Sequence, residues 1–223
     1  MYWARRAQQW RFADRHDAGR RLAPLLQHYA EREDAIVLGL PRGGVPVAYE
    51  IARRLQLPLD VFVVRKLGVP GREELAMGAV ASGGICRIND PMIAALGIDR
   101  EEVRETIARE SREVERREAA YRGNRPAPDF ENKTVILTDD GLATGATMAA
   151  AVAALRDRNP ARIVVAVPVA PREVCAALER EADEVVCLWT PEPFEGVGQW
   201  YVDFSQLSDD DVRTLLAAYP SSS

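Results

Sequence analysis

The chain predicts an α/β fold, a doubly wound and mainly parallel five-stranded sheet with helices on both faces. Three observations carry that expectation. Short runs rich in Val, Ile and Leu recur at Ala35–Leu40, Leu59–Arg65, Val135–Thr138, Arg162–Val169 and Glu184–Leu188. They have the near-continuous apolar character of strands covered on both faces. Helix-length segments alternate with these runs, which implies right-handed crossovers between parallel strands. Two of the runs feed glycine-bearing turns that open helices, at Gly39–Gly44 and Gly141–Gly145; open sheets of this kind bind ligands at such places.

In chain order, residues 1–12 carry Trp3, Trp10 and Phe12 among arginines and suggest an arm or edge strand. Asp14 suits the N-cap of a helix running to about Glu31, with Ala18, Leu22, Leu25, Leu26 and Tyr29 on its apolar side. The strand Ala35–Leu40 ends in Gly-Leu-Pro-Arg-Gly-Gly, and Val45–Leu55 follows as a helix with Pro46 near its first position, where proline is tolerated. Leu59–Arg65 feeds Lys66–Glu74, a loop or hairpin with the length and the Gly and Pro content of an active-site lid. Arg72, Glu73 and Glu74 read equally well as its solvated tip.

After Ile85–Asn89, Pro91–Leu96 predicts a short helix and Asp99–Arg122 a long, highly charged one. Its apolar stripe of Val103, Ile107, Val114 and Tyr121 is narrow, which suits a helix lying on the body or pairing with a partner subunit. Mixed Arg and Glu make the rest of it a solvated face rather than a nucleic-acid surface. Gly123–Glu131 returns to the core. Arg162–Val169, a helix from Pro171 to about Glu181 and the strand Glu184–Leu188 complete the sheet. The segment Pro191–Phe204 holds Phe194, Trp200, Tyr201 and Phe204, which either wall a pocket for a flat base or pack the final helix. Ser208 and Asp211 read as a capping box for a helix over Asp209–Ala218. The whole is expected to be one domain, with 86–131 a helical insertion and 190–223 an aromatic loop, helix and frayed tail.

At 223 residues, 47% apolar and 28% charged, the chain has the composition of a soluble globular protein with a sizeable core. A net charge of −5 argues against nucleic acid as the main partner. Cys86, Cys175 and Cys187 show neither zinc-ligand nor disulfide-framework spacing, so reduced thiols of a cytoplasmic protein are expected. The start lacks the apolar core of a signal peptide, and no stretch approaches membrane-span length. His16 and His28, with no carboxylate or Cys at ligand spacing, read as surface residues rather than ligands or a base.

The richest stretch is Val135–Thr147. Its strand delivers Asp139 and Asp140 to the carboxyl edge of the sheet. Gly141, Leu142, Ala143, Thr144, Gly145, Ala146 and Thr147 then form a small turn running into an Ala-rich helix. Gly141 and Gly145 let the backbone bend and approach a ligand. Thr144 and Thr147 add hydroxyls to the N–H groups of the first helical turn, a phosphate site with two carboxylates positioned for a sugar diol.

This stretch resembles the signature of the type I phosphoribosyltransferases, enzymes that use 5-phosphoribosyl-1-pyrophosphate (PRPP). The resemblance implies a phosphoribosyltransferase-like domain over about residues 10–205. It implies that Asp139 and Asp140 meet the ribose 2′- and 3′-hydroxyls and that Ala143–Thr147 wrap the 5′-phosphate. The turn Pro41-Arg42-Gly43-Gly44 matches the family's pyrophosphate loop, Arg42 giving a guanidinium and the glycines their N–H groups. Lys66, with Arg65 second, stands where the family carries a catalytic flexible loop. The implied reaction is transfer of the phosphoribosyl group to a nitrogenous base with release of pyrophosphate, Mg²⁺ arriving with PRPP, in a cytoplasmic homodimer.

The group most resembled is the predicted phosphoribosyltransferases with no assigned acceptor. Members acting on 6-oxopurines carry an acidic residue before the Thr-Gly, where this chain has Ala143, and an aliphatic residue is usual where it has Gly141. The acceptor is therefore unassigned. Two other readings fit the same site, a PRPP- or nucleotide-sensing regulator and a hydrolase of phosphoribosyl compounds. No G-x-G-x-x-G, Walker A, H-E-x-x-H or G-x-S-x-G pattern occurs.

Overall fold

The computed structural model describes residues 11–123 and 125–220. Helix α1 (Arg15–Leu22) is capped by Asp14, whose carboxylate accepts the Asp17 N–H at 2.7 Å. The helix expected to reach Glu31 stops at Leu22. A 3-10 segment, Ala23–Tyr29, continues it with proline in its first turn. Pro24 has no N–H to donate to the preceding turn, which ends the α-helical ladder there.

Strand β1 (Ala35–Gly39) leads into α2 (Gly44–Leu55) and then β2 (Leu59–Val61). The expected single strand Leu59–Arg65 is two strands. β2 pairs with β1, the chain breaks at Phe62 and Val63, and β3 (Val64–Val69) joins a second sheet. The break is fixed by hydrogen bonds: the Phe62 N–H goes to Gly39 O at 3.1 Å and the Val63 N–H to Ser82 Oγ at 2.8 Å. A run of apolar residues carries no sign of that change of partner.

β3, β4 (Arg72–Ala81) and β5 (Ile85–Ile88) form a three-stranded antiparallel sheet. The turn between β3 and β4 is Pro70-Gly71, with Gly71 at φ +72°, so the lid-like segment is a tight hairpin. The expected helical insertion 86–131 opens on strand residues that pair with β4. It continues as α3 (Asp90–Leu96) and α4 (Arg100–Arg122), the second capped by Asp99. α4 lies on the body, with Val103, Val114 and Tyr121 buried in the core and Ile107 packed against it.

The main sheet is completed by β6 (Thr134–Thr138), β7 (Arg162–Val169) and β8 (Glu184–Trp189), in the order β2-β1-β6-β7-β8 and parallel throughout. Helices α5 (Ala146–Arg156) and α6 (Arg172–Leu178) follow β6 and β7. Alternate residues serve opposite faces. Val37, Ile136, Val164 and Ala166 pack with α2, α4 and the last helix, α7 (Asp209–Ala218); Ile36, Leu38, Val135, Leu137 and Val165 pack with α5 and α6. Each buried Leu, Ile or Val contributes about 1.5–3 kcal/mol, so both faces fix the register. The capping box of Ser208 and Asp211 is present. Among the described residues, no helix is long and apolar enough to cross a membrane.

Candidate functional site

The carboxyl edge of the main sheet carries both glycine-bearing turns side by side. β6 ends at Thr138, whose carbonyl accepts the Leu40 N–H from the first turn at 2.9 Å. Asp139 and Asp140 follow at a bend, partly buried. The Asp140 N–H donates to Asp139 Oδ1 at 2.8 Å, turning the chain so that the two carboxylates are not sent to opposite faces as successive strand residues would be. Leu142 N–H then bonds Val169 O at 3.0 Å and ties the loop to the end of β7. Gly141, Leu142 and Gly145 are buried, while Ala143, Thr144, Ala146 and Thr147 are exposed. Gly145 caps α5 at φ +73°, and an added Cβ there would lie 2.6 Å from Val174 Cγ1. The exposed residues surround the start of an 11-residue helix, where backbone N–H groups have no partner within the helix.

The first turn packs directly on the aspartates. A Cβ on Gly43 would fall 2.0 Å from Asp140 Oδ2, and one on Gly44 2.6 Å from Thr138 O and 2.9 Å from Asp139 Cα. Both glycines are therefore required by contact with the second motif. The same rule explains Gly141, where a Cβ would meet Val197 Cγ1 at 2.6 Å and Val169 Cγ1 at 2.9 Å. Pro41 and Arg42 are partly exposed, and the peptide between them is cis. Arg42 lies within electrostatic range of Tyr121. Burial and a 2.8 Å hydrogen bond to Asp209 push the Tyr121 hydroxyl up to about 12, against the guanidinium's opposing field.

Burial raises both aspartates above the usual carboxylate range. Asp139 is raised further by the Asp140 charge, whereas an ion pair with Arg15 restrains Asp140. Among the described residues, Oδ2 of Asp139 and Oδ1 of Asp140 carry no protein hydrogen bond. Each carboxylate thus retains an acceptor, the requirement for holding two adjacent hydroxyls.

Lys66 stands elsewhere than on a loop. It is exposed on β3, opposite Ala79 in the antiparallel sheet. Arg65 beside it is committed to Glu110 at 2.6 Å. His16 meets Glu50 at 3.0 Å and His28 meets Glu184 at 3.6 Å, and neither bonds the aspartates.

One side chain at the site, Arg15, escaped the sequence reading. Arg15 Nε donates to Asp140 Oδ2 at 2.7 Å, its Nη1 to Ser205 O at 2.9 Å, and its guanidinium lies 4.0 Å from the centre of the Phe204 ring. The Tyr201 hydroxyl donates to Asp140 O at 2.5 Å. Tyr201 and Phe12 are buried together with Val169, so the aromatic segment packs onto the core rather than standing open. A cleft of about 370 Å³ opens beside Arg15, lined also by Pro46, Ser205 and Leu215. Among many arginines nothing in the sequence singles out Arg15; its one local signal is the Asp14 cap that fixes where α1 begins.

A parallel α/β sheet with a helix N-terminus, a glycine turn and paired carboxylates at its carboxyl edge belongs to the class of open α/β folds whose ligand sites lie at that edge. Sequence comparison narrows that class: the chain belongs to the phosphoribosyl transferase domain family, whose profile matches residues 14–197. It is 44% identical over 205 residues to two Mycobacterium tuberculosis proteins, Rv0571c and MT0597, whose names assign them provisionally as phosphoribosyl transferases. The match covers 92% of this chain and 46% of each relative, so the chain spans about half their length. The crystal structure of TT1426 from Thermus thermophilus is also similar, at 43% identity and a TM-score of 0.82 over 92% of this chain and 97% of that one.

Proposed function

We propose that this chain transfers the phosphoribosyl group of PRPP to a nitrogenous base and releases pyrophosphate. The observation that carries the reading is the contact of Gly43 and Gly44 with Asp140 and Asp139. A pyrophosphate loop, a diol-binding pair and a phosphate-binding helix start then meet at one sheet edge, as a single phosphoribosyl pyrophosphate would require. The 5′-phosphate sits at Ala143–Thr147, and the ribose hydroxyls are held by Asp139 and Asp140. Pyrophosphate lies on Pro41–Gly44, with Arg42 neutralising its charge and Lys66 reaching in from β3.

The base attacks ribose C1 as the bond to pyrophosphate breaks, through an oxocarbenium-like state. The protein contributes position and charge. Among the described residues no three His, Cys, Asp or Glu side chains converge to cage a metal. By the family resemblance Mg²⁺ would arrive with PRPP, held by pyrophosphate oxygens and water, and would neutralise the leaving group. On this reading 86–131 and 190–223 are attachments to one domain that works in the cytoplasm. A homodimer is supported by α3, which buries no residue and exposes Leu96, and by the exposed Ile88 just before it.

The test is calorimetric titration of PRPP with Mg²⁺, beside adenosine monophosphate and ribose 5-phosphate, into the wild type and Asp139→Asn. Asn can still accept the Asp140 N–H, so the variant is expected to fold while PRPP binding disappears. Equal affinity in a folded variant refutes the assignment. Tight PRPP binding without pyrophosphate release for any base supports a sensor instead, and PRPP breakdown with no base supports a hydrolase.

A further inference from the structure

Arg15 is the one cation bonded to either aspartate among the described residues, and it is 125 positions away from its partner in sequence. Its side chain is 11% exposed and that of Asp140 13%. The same guanidinium binds three things at once: Asp140 Oδ2, Ser205 O and the face of Phe204. Tyr201, four positions before Ser205, reaches the Asp140 carbonyl. The segment 201–205 and the carboxylate are therefore locked through one side chain.

The bond geometry also divides the work of Asp140. Arg15 occupies Oδ2, the oxygen nearest Gly43, and leaves Oδ1 as acceptor. We infer that Arg15 is a positioning residue, orienting the Asp140 carboxylate so that Oδ1 faces the ligand and making closure of segment 201–205 a condition of that geometry. The inference rests on the diol reading of Asp140 for its effect on PRPP, but its hold on the carboxylate is measurable without any ligand.

The groups facing Asp140 are few. Asp139 shares the bend, Arg15 comes from α1, the Tyr201 hydroxyl from the C-terminal segment, and Gly43 presents only backbone. Without Arg15, two adjacent and largely buried carboxylates would have no bonded cation, and one proton shared by the pair becomes the cheaper state. A lysine restores the charge but not the fork that spans Asp140 and Ser205.

The experiment compares wild type, Arg15→Gln, Arg15→Lys and, as a control for charge on the same helix, Arg20→Gln. Carboxyl carbon NMR of the unliganded proteins follows the Asp139–Asp140 pair against pH, hydrogen exchange follows residues 201–206, and PRPP affinity is measured from pH 6 to 9. In Arg15→Gln the pair is expected to take up its proton at higher pH than in wild type. PRPP affinity should fall about tenfold or more at pH 7, the scale of a lost charged hydrogen bond, with a smaller deficit at pH 9. Arg15→Lys should recover the pH profile while exchange at 201–206 stays raised, and Arg20→Gln should match wild type. An unmoved carboxyl titration in folded Arg15→Gln overturns the inference, as does a PRPP loss equal at every pH that lysine fails to rescue. Should wild type not bind PRPP while the titration moves as expected, the PRPP reading fails and the role of Arg15 toward Asp140 stands.

Discussion

Gly43→Ala tests the contact between the two glycine turns most directly. Gly43 has φ −62° and ψ −34°, a conformation alanine adopts freely, so backbone strain contributes nothing. The added methyl would lie 2.0 Å from Asp140 Oδ2 and 2.5 Å from its Cγ, where ordinary contact begins near 3.4 Å. The carboxylate must withdraw by about 1.4 Å, a movement that breaks its 2.7 Å bond to Arg15. Overpacking costs about 1–3 kcal/mol and a lost charged hydrogen bond about 1.5–3 kcal/mol. Rotation of Asp140 relieves the first at the expense of the second, so one of the two dominates. A loss of about 1–3 kcal/mol is expected, a fall of about 3–9 °C in melting temperature for a chain of this size.

On the proposed diol role of Asp140, PRPP affinity should fall about 10- to 100-fold, because the displaced oxygens would no longer face the ribose hydroxyls. Thermal melts by circular dichroism and calorimetry with PRPP measure both. The decisive comparison is the same substitution in an Asp140→Ala background, which removes the atoms the methyl would strike. Gly43→Ala should then cost almost nothing in stability. An equal loss in both backgrounds would show that the glycine is needed for some other reason and refute the argument.

Gly44→Ala should destabilise more than Gly43→Ala, because its methyl meets Thr138 O at 2.6 Å and backbone cannot rotate away; denaturant titration ranks the pair. Arg122 bonds Asp60 at 3.0 Å with both side chains under a tenth exposed, and burial already raises the Asp60 carboxyl. Arg122→Ala should cost about 3–5 kcal/mol at pH 7 by denaturant unfolding, with part recovered in Arg122→Ala/Asp60→Asn, which removes the uncompensated Asp60 charge. Hydrogen bonds from Arg116 and Arg117 hold Glu113 at about 2, below its ordinary 4.5. The unfolded chain binds the extra proton between those values, so this stabilisation is complete above pH 4.5 and lost as pH falls toward 2. Glu113→Gln should flatten that part of the acid limb of the melting curve by less than about 1 kcal/mol, and 1 M salt should shrink the difference further.

What could be read from the sequence was local. The buried strands are runs of apolar residues with both faces covered, so β1, β6, β7 and β8 were evident within a residue or so of their observed ends. Asp14, Asp99 and the Ser208–Asp211 box fixed helix starts through hydrogen bonds spanning two or three residues. Lys66 shows the limit: the Gly and Pro content around it indicates a turn, but only pairing with Ala79 makes its own position a strand. The break at Phe62–Val63 depends on Ser82, nineteen residues beyond Val63, and no nearby residue announces it.

The site divides in the same way. Asp139, Asp140 and the turn to Thr147 lie in one continuous stretch, and the phosphate and diol roles proposed for it are legible because they draw on adjacent residues. Tertiary structure alone decided that Gly43 touches Asp140, that Tyr201 holds its carbonyl and that Arg15 pairs with its carboxylate. Those contacts join segments brought together by parallel strand order and by burial of the aromatic C-terminal segment against Phe12 and Val169. A sequence determines which groups a protein owns and how neighbours fold; which distant charge lies within hydrogen-bonding distance of a carboxylate is set by the packing of the whole chain.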